Sequence, residues 1–431
     1  VRDSIATERY LDRYIEPGLP SPPAGSRWRH VVVIPAYREP SALLERLAHL
    51  RADDGRVLAV LVLNRPDSDA DDSANDELRA LIGDRKIQSI GDGADLLVID
   101  TERTTGPLPA SRGVGLARKI GCDLAFSWIA RGTLESRWIC STDADATLPP
   151  DYFDRLAGIA PAASAAVFPF VHEGGPDQQV NAATALYELR LHHYVLGLEY
   201  ADSPYAWHAL GSCLAVDAAA YAHCRGFPKR SGAEDFYLLN KLSKLGPIAR
   251  PSGRCIRIDA RESTRVPFGT GPAVSAILSA EPIGNAPVFD HPDTFRALKS
   301  VISVHRELGD GAQQHVRHLL RDAGLESALA DASADALEAV GIDECLRHCQ
   351  KYGDNPARFS RHFHAWFDAF RTLKFLHALR DAGWESQPLE NLGTLQPVLW
   401  PGCTALDDRD LLLQSTAKHW GWSLQPPHTP E

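Results

Sequence analysis

Apolar residues fall along this chain in two rhythms. Continuous β-branched and leucine-rich runs occur at His30–Pro35 (HVVVIP), Val57–Asn64 (VLAVLVLN), Asp95–Asp100 (DLLVID) and Trp138–Cys140, the last running on into STDADATLP. Short apolar runs of this kind, ended by Pro, Asn or Asp, are expected for strands covered on both faces of a parallel sheet. Between them the spacing changes to three and four. Leu43, Leu44, Leu47 and Leu50 follow Ser41, a residue type suited to cap a helix, and Leu116, Ile120, Leu124 and Trp128 predict one apolar helix face. Strands alternating with helices predict βαβ units, hence an α/β fold with a mostly parallel central sheet flanked by helices. In such sheets ligands bind beyond the carboxyl ends of the strands. Those ends carry Pro35, Ala36 and Tyr37, then Asn64 and Asp67, then Asp100, then Asp143 and Asp145, which makes an acidic, polar rim.

From about Ala276 the strand rhythm stops and helical patterns take over, among them Phe359, Phe363, Trp366, Phe367, Phe370, Leu373 and Leu376. The first residues read as a charged helix (Arg9 to Ile15) followed by PGLPSPPAG, a lead-in to the first strand. The expected organisation is a lead-in over 1–28, an α/β domain over 29–275 and a mainly helical C-terminal region over 276–431. With 431 residues, 44% hydrophobic and 23% charged, the chain is an ordinary globular one, and disorder, collagen and coiled coil are excluded. A net charge of −11 without any run of five Lys or Arg argues against a nucleic-acid partner. No stretch approaches eighteen apolar residues and the N-terminal segment is charged from its second residue, so a cytoplasmic protein is expected. The 8 Cys are scattered and read as reduced thiols. Met is absent from the sequence, so weight rests on contiguous motifs rather than on long separations.

The sharpest local feature is Ser141-Thr142-Asp143-Ala144-Asp145-Ala146-Thr147 directly after a strand. Two carboxylates one residue apart offer hard oxygen ligands to Mg2+ or Mn2+, with positions left for phosphate oxygens. The bland reading is an Asx turn that closes the strand. Two enzymatic readings stand beside it. One is a haloacid-dehalogenase-like phosphatase, since Asp143, Asp145 and Thr147 match DxDx[TV] and Asp143 would then be the nucleophile.

The other rests on four blocks in order. VVVIPAYREP, then Gly115-Leu116-Ala117-Arg118-Lys119-Ile120-Gly121, then DADATLPPDYFDRL, then Gly232-Ala233-Glu234-Asp235 with FYLLNKLSKLG, together resemble the family 2 glycosyltransferases of GT-A fold, over about residues 28–270. The resemblance implies transfer of a sugar from a nucleotide-diphosphate sugar donor to an acceptor hydroxyl, with Mg2+ or Mn2+ as cofactor and inversion by single displacement. It places Pro35, Ala36, Tyr37 and Glu39 against the base and ribose, with Asn64 and Asp67 at the next strand end. Arg118 approaches the diphosphate or holds the Asp loop, and Asp143 reaches the ribose or the metal. Asp145 is the metal ligand, with Asp259, from a basic loop that includes Arg257, Arg261 and Arg265, as a later one. Asp235 is the catalytic base, and Glu234, Trp207, His208 and Gly211 lie on the acceptor side. The second strand ends Asn64-Arg65-Pro66-Asp67-Ser68-Asp69 instead of the family's D-D-x-S-x-D, and Lys119 stands where Asn is usual. UDP is the favoured nucleotide, the acceptor is a saccharide, small molecule or lipid-linked hydroxyl, and peripheral membrane contact follows from relatives that act on lipids. A non-catalytic nucleotide-sugar-binding protein is the third reading, suggested by the altered second-strand motif.

Cys345, His348 and Cys349 would form a zinc site only with a fourth ligand such as Cys403, His362 or His364. Their spacing equally suits two cysteines facing a helical core.

Overall fold

The computed structural model describes residues 4–262, 269–309, 312–351, 355–395 and 409–424. The chain divides into two compact units, the first made of residues 1–181, 209–273 and 420–431 and the second of 182–208 and 274–419.

The first unit is built on an eight-stranded sheet. Its strands, in chain order, are β1 (His30–Ala36), β2 (Val57–Leu63), β3 (Ile87–Ile90), β4 (Ala94–Asp100), β5 (Trp138–Ser141), then β7 (Ala165–Val167), β9 (Leu214–Asp217) and β10 (Ile248–Ala249), while β6 (Ala146–Thr147) and β8 (Phe170–Glu173) belong elsewhere. The spatial order is β10-β7-β9-β5-β1-β2-β4-β3. The pairs β10/β7, β5/β1, β1/β2 and β2/β4 are parallel, and β7/β9, β9/β5 and β4/β3 are antiparallel. This is the mostly parallel α/β sheet expected from the apolar runs. Both β1 and β2 are buried along their whole length, as their unbroken apolar runs require. The register aligns Ala36 with Leu63 and Leu63 with Asp100, while Val33 lies opposite Ser141. The chain therefore leaves β1, β2, β4 and β5 along one edge. Because β9 runs antiparallel to β5 with Leu214 opposite Ser141, the residues before β9 arrive at that same edge.

A second sheet, in the order β6-β12-β8 with β12 at Ile256–Asp259, carries the chain onward from the Asp143 loop, and β11 (Gly253–Arg254) pairs in parallel with β13 (Trp422–Ser423).

Two local expectations need correction. Ser41 sits in helical geometry before the helix Ala42–Ala48 and makes no side-chain capping bond; the backbone bond from Leu43 N–H to the Pro40 carbonyl, 3.1 Å, closes that turn instead. The helix Gly113–Ala130 is not one-sided but buried around nearly its whole circumference. One side meets the sheet so closely that a Cβ on Gly121 would lie 2.3 Å from Val33 Cγ1. Its other side is covered by the N-terminal segment. Lys119 donates to Asp123 at 2.7 Å, to Tyr10 Oη at 2.8 Å and to the Tyr14 carbonyl at 2.8 Å, while Asp123 also accepts from Tyr10, Tyr221 and the Glu16 N–H. A buried polar network of this kind is tolerable because its members satisfy one another.

The second unit is helical, as the spacing after Ala276 predicts. Its helices include Pro292–Val304, Gln313–Asp322, Ser327–Ala339, Ile342–Gln350, Pro356–Trp366 and Ala369–Asp381. Phe295, Leu298, Leu320, Leu337, Phe363 and Leu379 are among its core residues. Phe359, Phe363 and Phe367 of the aromatic stripe turn into this core, as do Cys345 and Cys349, whose sulfurs lie 3.8 Å apart. Among the described residues no three His, Cys, Asp or Glu form a metal-holding group, and Cys403 lies outside them. No described helix is long and apolar enough to cross a membrane.

Candidate functional site

The carboxyl edge of the sheet gathers the first three motif blocks, and a single side chain joins them to the fourth. Arg118 projects from the Gly113–Ala130 helix and is 3% exposed. Its guanidinium donates to Asp143 at 2.5 Å, to Ser141 Oγ at 2.8 Å, to Glu234 at 2.9 Å and to the Gly211 carbonyl at 3.1 Å. Gly211 has to be glycine for this contact, because a Cβ there would lie 2.3 Å from Arg118 Nη2. Gly115, one turn earlier, admits the backbone of Pro228 and Arg230, and its N–H donates to the Arg230 carbonyl at 3.0 Å. The two ends of the G-x-A-R-K-x-G block thus seat the helix between the sheet and the segment that leads into Glu234. Burial alone would lower the Arg118 pKa, but the charges of Asp143 and Glu234 outweigh it and the group is raised.

Glu234 and Asp235 open the helix Glu234–Leu242, where negative charge is favoured. The residue before them, Ala233, has φ 57°, a left-handed conformation that non-glycine residues adopt at some cost and that turns the chain sharply into the helix. The two acids then diverge. Glu234 is buried against Arg118, whereas Asp235 is half-buried and accepts its nearest backbone bond from the Phe236 N–H at 2.7 Å. Burial pushes both carboxyls upward, and the charge of Asp235 adds to the rise at Glu234.

Asp145 has a different partner. Arg261, just past β12, reaches it at 2.8 Å through Nε and 2.6 Å through Nη2, and with its other edge holds Glu39 at 3.1 and 3.2 Å. The loop is fastened from the same side by the bond from Asp259 N–H to the Asp145 carbonyl, 3.1 Å, and by Arg46, which donates to the Ala144 carbonyl at 2.9 Å and to the Asp259 carboxylate at 2.5 Å. Asp259 therefore lies beside the loop with its carboxylate on Arg46. Arg265, also of the basic loop, lies outside the described residues.

At the β1 and β2 ends, Pro35 and Ala36 are buried in the strand and Tyr37 donates to Asp69, which Arg38 also holds, at 2.8 Å. Hydrogen bonds from Tyr37, from the Asp71 N–H and from Arg38 keep Asp69 below the ordinary carboxylate range. Asn64 is buried and ties β2 to β1, its amide donating to the Ala36 and Val62 carbonyls at 3.1 and 3.2 Å. Asp67 is exposed and receives the Ala110 N–H at 2.8 Å. Trp207 and His208 belong to the second unit, where both are buried and His208 Nε2 lies 3.1 Å from His192 Nδ1.

Arg46 and Asp69 were outside the motif blocks, and Arg261 was legible only as part of a basic loop. No spacing rule points to them, since the partners of Arg46 and Arg261 lie 98 to 222 residues away along the chain.

A hard divalent cation of the Mg2+ type is generally held by one or two carboxylates and fills its shell with phosphate oxygens and water. The donor set fits, because Asp145 and Glu39 already share one cationic group, the Arg261 guanidinium.

No known family profile and no curated protein sequence matches the chain. Among solved structures it is similar to residues 1–349 of S. aureus TarS in complex with UDP-GlcNAc, at 12% identity and TM-score 0.37, covering 82% of this chain and 92% of that one. It is similar also to the mannosyltransferase PcManGT from Pyrobaculum calidifontis in complex with GDP-Man and Mn2+, at 17% identity and TM-score 0.34, covering 88% and 93%. Mouse xyloside xylosyltransferase 1 follows at 12% identity and TM-score 0.25, over 52% and 85%.

Proposed function

We propose that the first unit is a metal-dependent glycosyltransferase of GT-A type, which moves a sugar from a nucleotide-diphosphate donor, UDP-sugar in preference, to an acceptor hydroxyl with inversion. The observation that carries this reading is the Arg118 clamp. One buried guanidinium holds Asp143 of the strand-end carboxylate pair and Glu234 of the helix-start pair, so the two acidic motifs face one place at the carboxyl edge.

In this reading Asp145, with Glu39 beside it, holds the cation. When bound, that ion supplies positive charge where the leaving diphosphate gains negative charge. Tyr37 offers its ring face to the base. Asp143, fixed by Arg118, orients the ribose side of the donor. Asp235, half-buried as a residue and with its carboxyl pKa raised by burial, takes the proton of the acceptor hydroxyl as the oxygen attacks the anomeric carbon. Glu234 stays on Arg118 and keeps Asp235 facing the acceptor.

The test is thermal-shift screening of UDP, GDP, CDP and dTDP with Mn2+ in the wild type, Asp145→Ala and Asp235→Asn. A nucleotide at 100 times its Kd stabilises the folded form by about 2.7 kcal/mol. Stabilisation by UDP is expected in the wild type and in Asp235→Asn and lost in Asp145→Ala, with donor hydrolysis lost in Asp235→Asn. If no nucleotide stabilises the wild type, the proposal is wrong; a phosphoenzyme that disappears in Asp143→Asn would then mark a phosphatase.

A further inference from the structure

The Arg261 guanidinium sits on Oδ2 of Asp145, the carboxylate proposed above as the cation ligand. It is bonded through three of its nitrogens, to Asp145 at 2.6 and 2.8 Å and to Glu39 at 3.1 and 3.2 Å, and Glu39 is nearly buried. Arginine stays charged at any ordinary pH, and its planar fork suits two carboxylates at once. The arrangement is braced on either side. Asp259 N–H bonds the Asp145 carbonyl, β12 pairs with β6 through Ile258 and Ala146, and Arg46 joins Asp259 to the Ala144 carbonyl. Arg261 is thus carried to Asp145 by the same strand that shapes the loop, and the pairing is a feature of the fold.

We propose that Arg261 is a built-in counter-ion of Asp145 that competes with the divalent cation, so that the cation binds well only together with a nucleoside diphosphate, whose phosphates receive the displaced guanidinium. This rests on the glycosyltransferase reading for the identity of the second ligand. Arg–phosphate pairs are as favourable in geometry as Arg–carboxylate pairs, so the exchange keeps every charge partnered. Without the diphosphate, a cation at Asp145 leaves Arg261 facing a like charge. Cation and donor are therefore coupled through one side chain, and each raises the affinity for the other by the same factor.

The experiment is Mn2+ titration, read from the electron paramagnetic resonance of free Mn2+, on the full chain of the wild type, Arg261→Gln, Arg261→Lys and Arg261→Gln/Asp145→Asn, with and without UDP or GDP. Without nucleotide, Arg261→Gln is expected to bind Mn2+ about tenfold tighter than the wild type, with Arg261→Lys between them, since a lysine is a point charge that cannot hold Glu39 and Asp145 as a fork does. Adding Asp145→Asn removes the gain. Nucleotide tightens Mn2+ binding about tenfold more in the wild type than in Arg261→Gln. The lysine variant keeps the charge and reads the competition even where the glutamine variant does not fold. Mn2+ affinities in both single variants no tighter than in the wild type overturn the inference; if nucleotide still tightens Mn2+ in the wild type, the transferase reading survives that result. The reverse pattern, a gain in the variants with no response to any nucleotide, upholds the competition at Asp145 and refutes the transferase reading.

Discussion

Replacing Arg118 with Met tests the centre of the site, because it keeps most of the side-chain length and removes the charge. The wild-type guanidinium is 3% exposed and bonded to Asp143, Ser141, Glu234 and the Gly211 carbonyl. Removing one partner of a buried ion pair costs about 3–5 kcal/mol, since the other charge stays behind unpaired. Two reliefs act here. Asp143 is more than a third exposed and re-solvates, and Glu234 takes up a proton readily because burial and Asp235 already push its pKa up. The lower end, about 3 kcal/mol at neutral pH, is therefore expected. The pH dependence has a definite sign. In Arg118→Met the folded state holds a proton on Glu234 that the unfolded state releases above the usual carboxylate range, so stability falls as pH rises through neutrality and recovers on acidification. Adding Glu234→Gln removes the buried charge, and the double variant should be more stable than the sum of the two single losses by about 1–2 kcal/mol. A global melting curve mixes the two units, whereas native-state hydrogen exchange of the β1 and β5 amides reports opening of the first unit alone and is the assay for this free-energy difference. A loss below about 1 kcal/mol, or strict additivity with Glu234→Gln, would falsify the clamp as the energetic centre of the site.

Other outcomes follow from single contacts. Gly211→Ala drives a Cβ to 2.3 Å from Arg118 Nη2 and should cost about 1–3 kcal/mol and weaken nucleotide binding, read by the same exchange assay and by thermal shift. Gly121→Ala presses on Val33 and Val62 and should cost a similar amount in stability with nucleotide affinity in the surviving folded protein close to wild type. In the second unit burial holds His193, packed against Phe289 and Phe295, neutral with its pKa pushed down to about 3. The unfolded chain takes a proton there first, so the unit loses stability as pH falls below the ordinary His range, by about 2 kcal/mol at pH 5; His193→Phe should flatten that slope in exchange of the Pro292–Val304 amides. The seven described cysteines are buried and most have thiols pushed upward by burial, so they should resist Ellman's reagent until the protein unfolds; rapid native labelling of Cys140 or Cys345 would contradict the packing.

The elements legible in the sequence are those whose local pattern and final environment agree. β1 and β2 are unbroken apolar runs because they sit inside a parallel sheet, and the C-terminal helices show their spacing because each keeps one face in water. β3 was not legible: it is a four-residue edge strand, IQSI, with little burial to mark it. Nor was β9, whose place between β5 and β7 depends on pairing with strands far earlier in the chain. The Gly113–Ala130 helix shows how a periodic pattern understates burial when a polar face finds buried partners in place of water. The strand-end and helix-start acids stand in compact motifs and are visible as candidates. The arginines that hold Asp145 and Asp259 are single residues whose meaning exists only after folding.

Arg118 and Lys119 are neighbours on the helix Gly113–Ala130, which is buried around nearly its whole circumference, and their charges leave it in different directions, one to the carboxylates at the sheet edge and the other to Tyr10, Tyr14 and Asp123. The helix is thereby an axle with a fixed rotational setting. A disturbance of the segment around Tyr10 would turn it, and the turn would appear at Asp143 and Glu234 although none of the altered residues touches them.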